Sequence, residues 1–186
     1  MQSPFYFIVK PIGGRYANTK NVGGVELIVS TSLEDHLYSN RLAEVLEVPR
    51  GYAGEIIVGD TLLVHHNVFK FYNDLNGKQR SGKNFLKDDT FFVDTEQFFA
   101  YKHEGIWKAT DRYCFVAPIP TEDSMIKKNC VEEPLIGIMR YPSKKLMYYG
   151  VQAGDKVCFQ PNCSYEFTVE GEKMYRFYEH QITMKL

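Results

Sequence analysis

One stretch of this sequence occurs twice. Val58-Gly59-Asp60-Thr61-Leu62-Leu63-Val64 returns as Ala153-Gly154-Asp155-Lys156-Val157-Cys158-Phe159. Three further matches keep the same order. Val9-Lys10-Pro11-Ile12 aligns with Val116-Ala117-Pro118-Ile119, and Val45-Leu46-Glu47-Val48-Pro49 with Ile138-Met139-Arg140-Tyr141-Pro142. Glu96–Tyr101 aligns with Glu172–Phe177, after which Ile106 meets Ile182. Ordered self-similarity within 186 residues restricts the chain to two copies of one small unit. The copies are expected at about 1–108 and 109–186, joined near Ile106–Arg112. Their offset falls from 107 at Pro11/Pro118 to 93 at Pro49/Pro142, so the first copy is 14 residues longer there. It falls again from 95 at Gly59/Gly154 to 76 at Glu96/Glu172, which gives the first copy 19 more residues.

Each copy reads as short β-strands. Runs rich in Val, Ile, Phe and Tyr recur between Gly, Pro and Asn signals, as half-buried strands require. They cover Phe5–Lys10, Ala43–Val48, Thr61–His65, Phe91–Asp94 and Gln97–Lys102 in the first copy. In the second they cover Tyr113–Ala117, Ile136–Arg140, Lys156–Gln160, Tyr165–Val169 and Lys173–Tyr178. One stretch has a local alternative. Ser32 is a plausible N-cap, and Leu33 and Leu37 stand at i, i+4, so a helix running to about Leu46 competes there. Gly59-Asp60 and Gly154-Asp155 read as turn residues that mark the fold, because Gly tolerates positive φ and Asp accepts from turn amides.

Composition excludes several functions. With 22 Lys+Arg against 23 Asp+Glu, the net charge of −1 gives no general attraction to nucleic acid or anionic lipid. No apolar run reaches the ~18 residues of a membrane span. The first residues lack the pattern of a signal or transit peptide, so a cytoplasmic protein is expected. Cys114, Cys130, Cys158 and Cys163 form no C-x-x-C pair and are expected as reduced thiols. His65 and His66 are adjacent on an expected strand, which would point their rings to opposite faces and prevent shared metal binding. No Walker A, H-E-x-x-H, G-x-S-x-G or dinucleotide fingerprint is present, so neither an enzyme nor a cofactor is expected.

The repeated unit resembles GroES-type co-chaperonins. The first copy has an opening strand ending at Pro11, a polar stretch leading to Gly23-Gly24-Val25-Glu26-Leu27, the strand Ala43–Val48, the Gly59-Asp60 strand and a closing Phe98–Ile106. The second copy repeats the last of these as Met174–Ile182. The resemblance implies an all-β chain of two GroES-like small β-barrels in tandem. It implies a mobile loop, about 13–40, that binds an apolar groove on a GroEL-type chaperonin ring, itself ATP-dependent. The contact residues are then Gly23, Gly24, Val25, Glu26, Leu27, Ile28 and Val29. In an extended chain Val25, Leu27 and Val29 share one face. The bland alternative is a plain core strand.

The departures matter as well. Glu26 replaces a usually apolar residue, so Leu27-Ile28-Val29 is an alternative binding triplet. The second copy lacks the Gly-Gly-apolar segment; Pro120–Pro134 offers only Met125-Ile126, which implies one working loop per chain. Val48–Gly59 is too short for the family's roof hairpin. Phage-encoded members also depart in this region, which fits a phage origin. The basic insertion, about 72–89, holds Lys78, Arg80, Lys83 and Lys87 without an acid between Asn76 and Lys87, and reads as a solvated hairpin tip or a contact for an acidic surface. The family implies a homo-oligomer, heptameric in its usual form. The competing function is a structural or assembly protein, viral in origin, that keeps the β fold without chaperonin binding.

Overall fold

The computed structural model describes residues 3–16, 19–28, 39–110, 112–121 and 132–186. The chain is all-β, built of antiparallel sheets, and divides into two compact units, Met1–Ile106 and Trp107–Leu186. The first unit contains β1 (Phe7–Pro11), β2 (Thr19–Val22), β3 (Val25–Ile28), β4 (Leu42–Glu47), β5 (Thr61–Val64), β6 (Phe71–Asn73), β7 (Gln79–Ser81), β8 (Phe85–Lys87), β9 (Thr90–Val93) and β10 (Phe98–His103). β11 (Ile106–Ala109) follows at the division. The second unit contains β12 (Tyr113–Pro120), β13 (Glu132–Tyr141), the short helix α1 (Lys144–Tyr148), β14 (Lys156–Phe159), β15 (Tyr165–Val169), β16 (Glu172–Tyr178) and β17 (Ile182–Lys185). All ten expected strands have an observed counterpart. The expected helix does not reach Leu46, because Leu42–Glu47 is β4; its start at residues 32–37 lies outside the described residues.

The two main sheets have one topology. The first runs β8-β9-β1-β4-β5-β10-β11 and the second β15-β16-β12-β13-β14-β17. Position by position, the second is the first without its last strand. Both orders are open at their ends; among the described residues, no strand pairing closes either into the expected barrel.

This order corrects part of the repeat. β16 pairs with β12 as β9 pairs with β1, with Val116 opposite Tyr175 and Val9 opposite Phe91. The counterpart of β16 is therefore β9, not the Glu96–Tyr101 segment, and β10 corresponds to β17. The turns between these strands agree. The Gln97 side-chain oxygen accepts from the Asp94 N–H at 3.3 Å, and that of Gln181 from the Tyr178 N–H at 2.8 Å. The Gln97 carbonyl accepts from His65 N–H at 2.8 Å, and that of Gln181 from Gln160 N–H at 3.0 Å. The offset at Gln97/Gln181 is 84, so the first unit is 11 residues longer after Gly59/Gly154, not 19. The partner of Val45 is Met139 rather than Ile138, an offset of 94, as the bonds below require.

In both units the Gly-Asp turn clasps the preceding strand. Val45 N–H donates to the Asp60 carbonyl (2.9 Å) and Gly59 N–H to the Val45 carbonyl (2.8 Å). Met139 N–H donates to Asp155 (2.8 Å) and Gly154 N–H to Met139 (2.7 Å). Gly59 and Gly154 share φ = 93°, which a side chain would resist. The carboxylates close the turns: Asp60 Oδ2 accepts from Ile57 N–H (2.9 Å) and Asp155 Oδ2 from Gln152 N–H (2.7 Å). A side chain from the equivalent strand completes each turn. His103 Nδ1 lies 3.0 Å from Asp60, and Lys185 Nζ 2.6 Å from Asp155.

The cores follow the strand alternation. In the first unit Phe7, Val9, Val45, Leu62, Phe91 and Val93 are buried together, with Phe7 edge-on to Phe98 at 5.4 Å. In the second, Cys114, Val116, Met139, Val157 and Phe177 form the equivalent cluster. Each buried side chain of this size contributes about 1.5–3 kcal/mol. Residues 48–60 form no strand, so no roof hairpin exists; Ile56 turns inward and the Tyr52 ring lies 5.0 Å from Phe7.

Two predictions follow from this packing. A Cβ on Gly137 would strike Val116 Cγ1 and lie 2.7 Å from the Ala117 carbonyl oxygen. Gly137→Ala should therefore destabilise the second unit by about 1–3 kcal/mol, read from its urea midpoint. The backbone N–H of Gln152, and then Lys185, hold the Asp155 carboxyl below the usual carboxylate range. Its contribution is present above the unfolded-state value of about 4 and lost as pH falls through the lower folded value. Between pH 6 and pH 2 the stability gap between wild type and Asp155→Asn should shrink; a constant gap in urea titrations contradicts this.

Candidate partner-binding site

The chain leaves the first sheet at Pro11 and returns at Leu42. Asn40 closes the neck of this excursion. Its Nδ2 donates to the carbonyls of Ile12 (2.9 Å) and Gly14 (2.7 Å), and its Oδ1 accepts from Leu42 N–H (2.9 Å). Its own N–H donates to the Arg15 carbonyl (3.1 Å), and Tyr16 forms a bridge with Ser39. A polar side chain thus replaces the ladder bonds that the diverging strands lose.

Beyond the neck, β2 and β3 form a two-stranded hairpin with Thr19 opposite Ile28, Lys20 opposite Leu27, Asn21 opposite Glu26 and Val22 opposite Val25. Gly23 and Gly24 are its two turn residues, at φ = 62° and 85°. Two consecutive positive φ values define the I′ turn that matches strand twist, and glycine supplies both without strain. Of the expected contact residues, Gly23 and Gly24 form the tip and Val25, Glu26, Leu27 and Ile28 form β3. Val29 lies outside the described residues. β3 pairs with β2 in a separate two-stranded sheet and not in the main sheet.

The insertion is a second hairpin, β6–β7, joined to the sheet where Gly82 N–H donates to the Lys70 carbonyl (2.8 Å). Asp74 builds its tip, accepting from Asn76 N–H (3.0 Å) and Lys78 N–H (2.9 Å). The Lys78 amide leads in holding the Asp74 carboxyl below its ordinary range, with Arg80 Nε adding an ion pair at 3.1 Å. Leu75 is fully exposed at this tip. The cationic run is therefore not an unopposed basic face: Asp74, Asp88 and Asp89 flank it, and two of them take arginines.

Arg15 joins the neck of the first hairpin to the second hairpin. Its guanidinium lies over the rings of Phe71 (4.5 Å), Phe91 (4.8 Å) and Phe85 (5.2 Å). Its Nε donates to Asp89 at 2.7 Å and Nη1 to Ser81 Oγ at 3.1 Å. Tyr16 stacks on Phe71 at 5.5 Å, and its hydroxyl accepts from Phe71 N–H at 3.3 Å. No local sequence signal marks this cluster, since Arg15 is separated from Phe71 by more than fifty residues. The Asn76-Gly77 turn dipeptide was the readable sign of the second hairpin.

Other expected features resolve differently. β5 ends at Val64, so His65 and His66 lie beyond the strand, and their rings sit 4.1 Å apart instead of on opposite faces. Among the described residues, no group of three or more His, Cys, Asp or Glu could hold a metal ion. Cys114, Cys158 and Cys163 are free thiols; burial pushes the Cys114 thiol up to about 12, which suppresses its reactivity. Among the described residues, no helix is long and apolar enough to cross a membrane. The first unit also carries an apolar groove of about 520 Å³, lined by Tyr6, Ile8, Leu46, Leu86 and Phe92 on the sheet face opposite its core.

No protein-family model and no curated protein sequence matches the chain.

The tip geometry gives a prediction. Replacing both Gly23 and Gly24 by Ala places two side chains at positive φ, at about 1–2 kcal/mol each. Amide exchange across Thr19–Ile28 should accelerate while β1, β4 and β5 keep their protection; unchanged exchange at the hairpin would contradict the I′ assignment.

Proposed function

We propose that this chain is a tandem co-chaperonin of two GroES-like domains that caps a GroEL-type chaperonin ring and assists its ATP-dependent folding of client proteins. The observation that carries this reading is the glycine-tipped β2–β3 hairpin, which pairs apart from the main sheet of the first unit; the second copy lacks the Gly-Gly-apolar sequence. Its second strand has the sequence Val25-Glu26-Leu27-Ile28, mostly apolar. An extended apolar segment on a neck fits insertion into an apolar groove.

The energetics favour an oligomer. Ordering each residue costs about 1–2 kcal/mol of backbone entropy. Burying one Val or Leu returns about 1.5–3 kcal/mol. A single hairpin then binds weakly, and several on one homo-oligomer bind tightly through effective concentration. Weak individual contacts also let a change in the ring release them together. The near-neutral net charge fits recognition by a small apolar patch rather than by a long-range field.

Co-sedimentation with a GroEL-type ring and ATP tests this directly. Wild-type protein should sediment with the ring, and Leu27→Asp should lose at least about tenfold in affinity while keeping its circular dichroism, because a buried carboxylate forfeits its solvation. Failure of the wild type to bind, or equal binding by Leu27→Asp, would leave the assembly-protein reading in its place.

A further inference from the structure

We propose that the β6–β7 hairpin is a buttress for the β2–β3 hairpin, with Arg15 as the joint that fixes the neck from which the partner-binding segment projects. The partner-binding part of this inference rests on the co-chaperonin reading; the buttress itself does not.

Three observations lead to it. First, the first unit carries longer connections than the second at two equivalent places. Residues 12–41 separate β1 from β4, whereas residues 121–131 separate β12 from β13. Residues 65–84 separate β5 from β8, whereas residues 160–164 separate β14 from β15. The second unit forms the same strand order with residues 160–164 in place of the β6–β7 excursion, so the sheet does not need that hairpin in order to form.

Second, the two excursions meet at one side chain. Arg15 lies in the neck of the first and touches Phe71 and Ser81 of the second. Its side chain is only 13% exposed, although the Asp89 partner is 55% exposed. A planar cation can stack on rings and donate in its own plane at once, which an ammonium cannot do. Arg15 does both, over three phenylalanine rings and toward two oxygen acceptors.

Third, the anchor is built at some conformational cost. Asp88 and Asp89 form the β8–β9 turn at φ = 45° and 58°, positions that favour Asn and Gly. An aspartate held there places its carboxylate 2.7 Å from Arg15 Nε. Tyr16 adds a second link, stacking on Phe71 and accepting from its amide. The neck is thus held on one side by Asn40 and on the other by the inserted hairpin. Such a neck restricts the directions available to β2–β3 and lowers the entropy lost when a partner captures it.

The test uses three variants of the full chain. In the first, residues 71–81 are excised and Lys70 is joined to Gly82 through two glycines, a closure that their existing 2.8 Å hydrogen bond permits. The second is Phe71→Ala, and the third is Phe71→Tyr, which keeps the ring. Hydrogen exchange at Thr19–Ile28 should accelerate about tenfold in the excision and in Phe71→Ala. It should stay near wild type in Phe71→Tyr, and protection of β1, β4 and β5 should hold in all three. Affinity for the GroEL-type ring with ATP should fall in step with the exchange. Unchanged exchange at Thr19–Ile28 in the excision variant and in Phe71→Ala would overturn the buttress. Accelerated exchange in a protein whose wild type does not bind the ring would sustain the buttress and remove the co-chaperonin reading.

Discussion

The clasp between the Gly-Asp turn and the strand before it organises both units. Two backbone bonds tie the turn to one strand residue, Val45 or Met139, while the turn carboxylate satisfies an amide three residues earlier. This sets where β5 and β14 begin and which of their residues face the core. β1 and β12 then pair on the other side of the clasped strand, each with a bulge at the same place, Ile8/Val9 and Phe115/Val116. A bulge bends a strand and raises its twist. The two sheets are alike because this short set of bonds is repeated.

Much of the fold was legible because strand burial writes a period-2 pattern and turns have their own chemistry. The ten expected strands exist, and the Pro11/Pro118 and Gly59/Gly154 matches align equivalent backbone positions. The Glu96/Glu172 match failed for a specific reason. It rested on Phe and Tyr, which total 26 residues here and recur in many strands. The informative residues were Gln97 and Gln181, whose side chains cap equivalent turns and whose carbonyls receive equivalent amides. Polar residues with a fixed geometric task marked equivalence better than apolar residues that only needed burial.

The candidate site was legible in part. Gly23-Gly24 between two strand-like runs suits a two-residue hairpin, and that is the register the chain adopts. The neck could not be read at all. Asn40 bonds to carbonyls more than twenty residues away, and Arg15 reaches rings on β6, β8 and β9. Such contacts depend on where the sheet brings distant segments together. The basic run was legible as a hairpin tip, but a window from Asn76 to Lys87 omits the carboxylates just outside it that partner Arg80 and Arg15.

The two excursions also make energetic sense as one device. A hairpin of two short strands is marginal in water when it stands alone, and this unit carries two. The second meets Arg15 and Tyr16 in the neck of the first, so the ordering of Arg15, Tyr16 and Phe71 serves the neck and the β6–β7 hairpin together. Removing the β6–β7 contacts takes Phe71 and Ser81 from Arg15, and removing the neck takes Arg15 and Tyr16 from Phe71. The second unit spans the equivalent places with shorter connections, residues 121–131 and 160–164, and forms its sheet in the same strand order, so the sheet sets the frame and the added contact surface around Arg15 is built beside it.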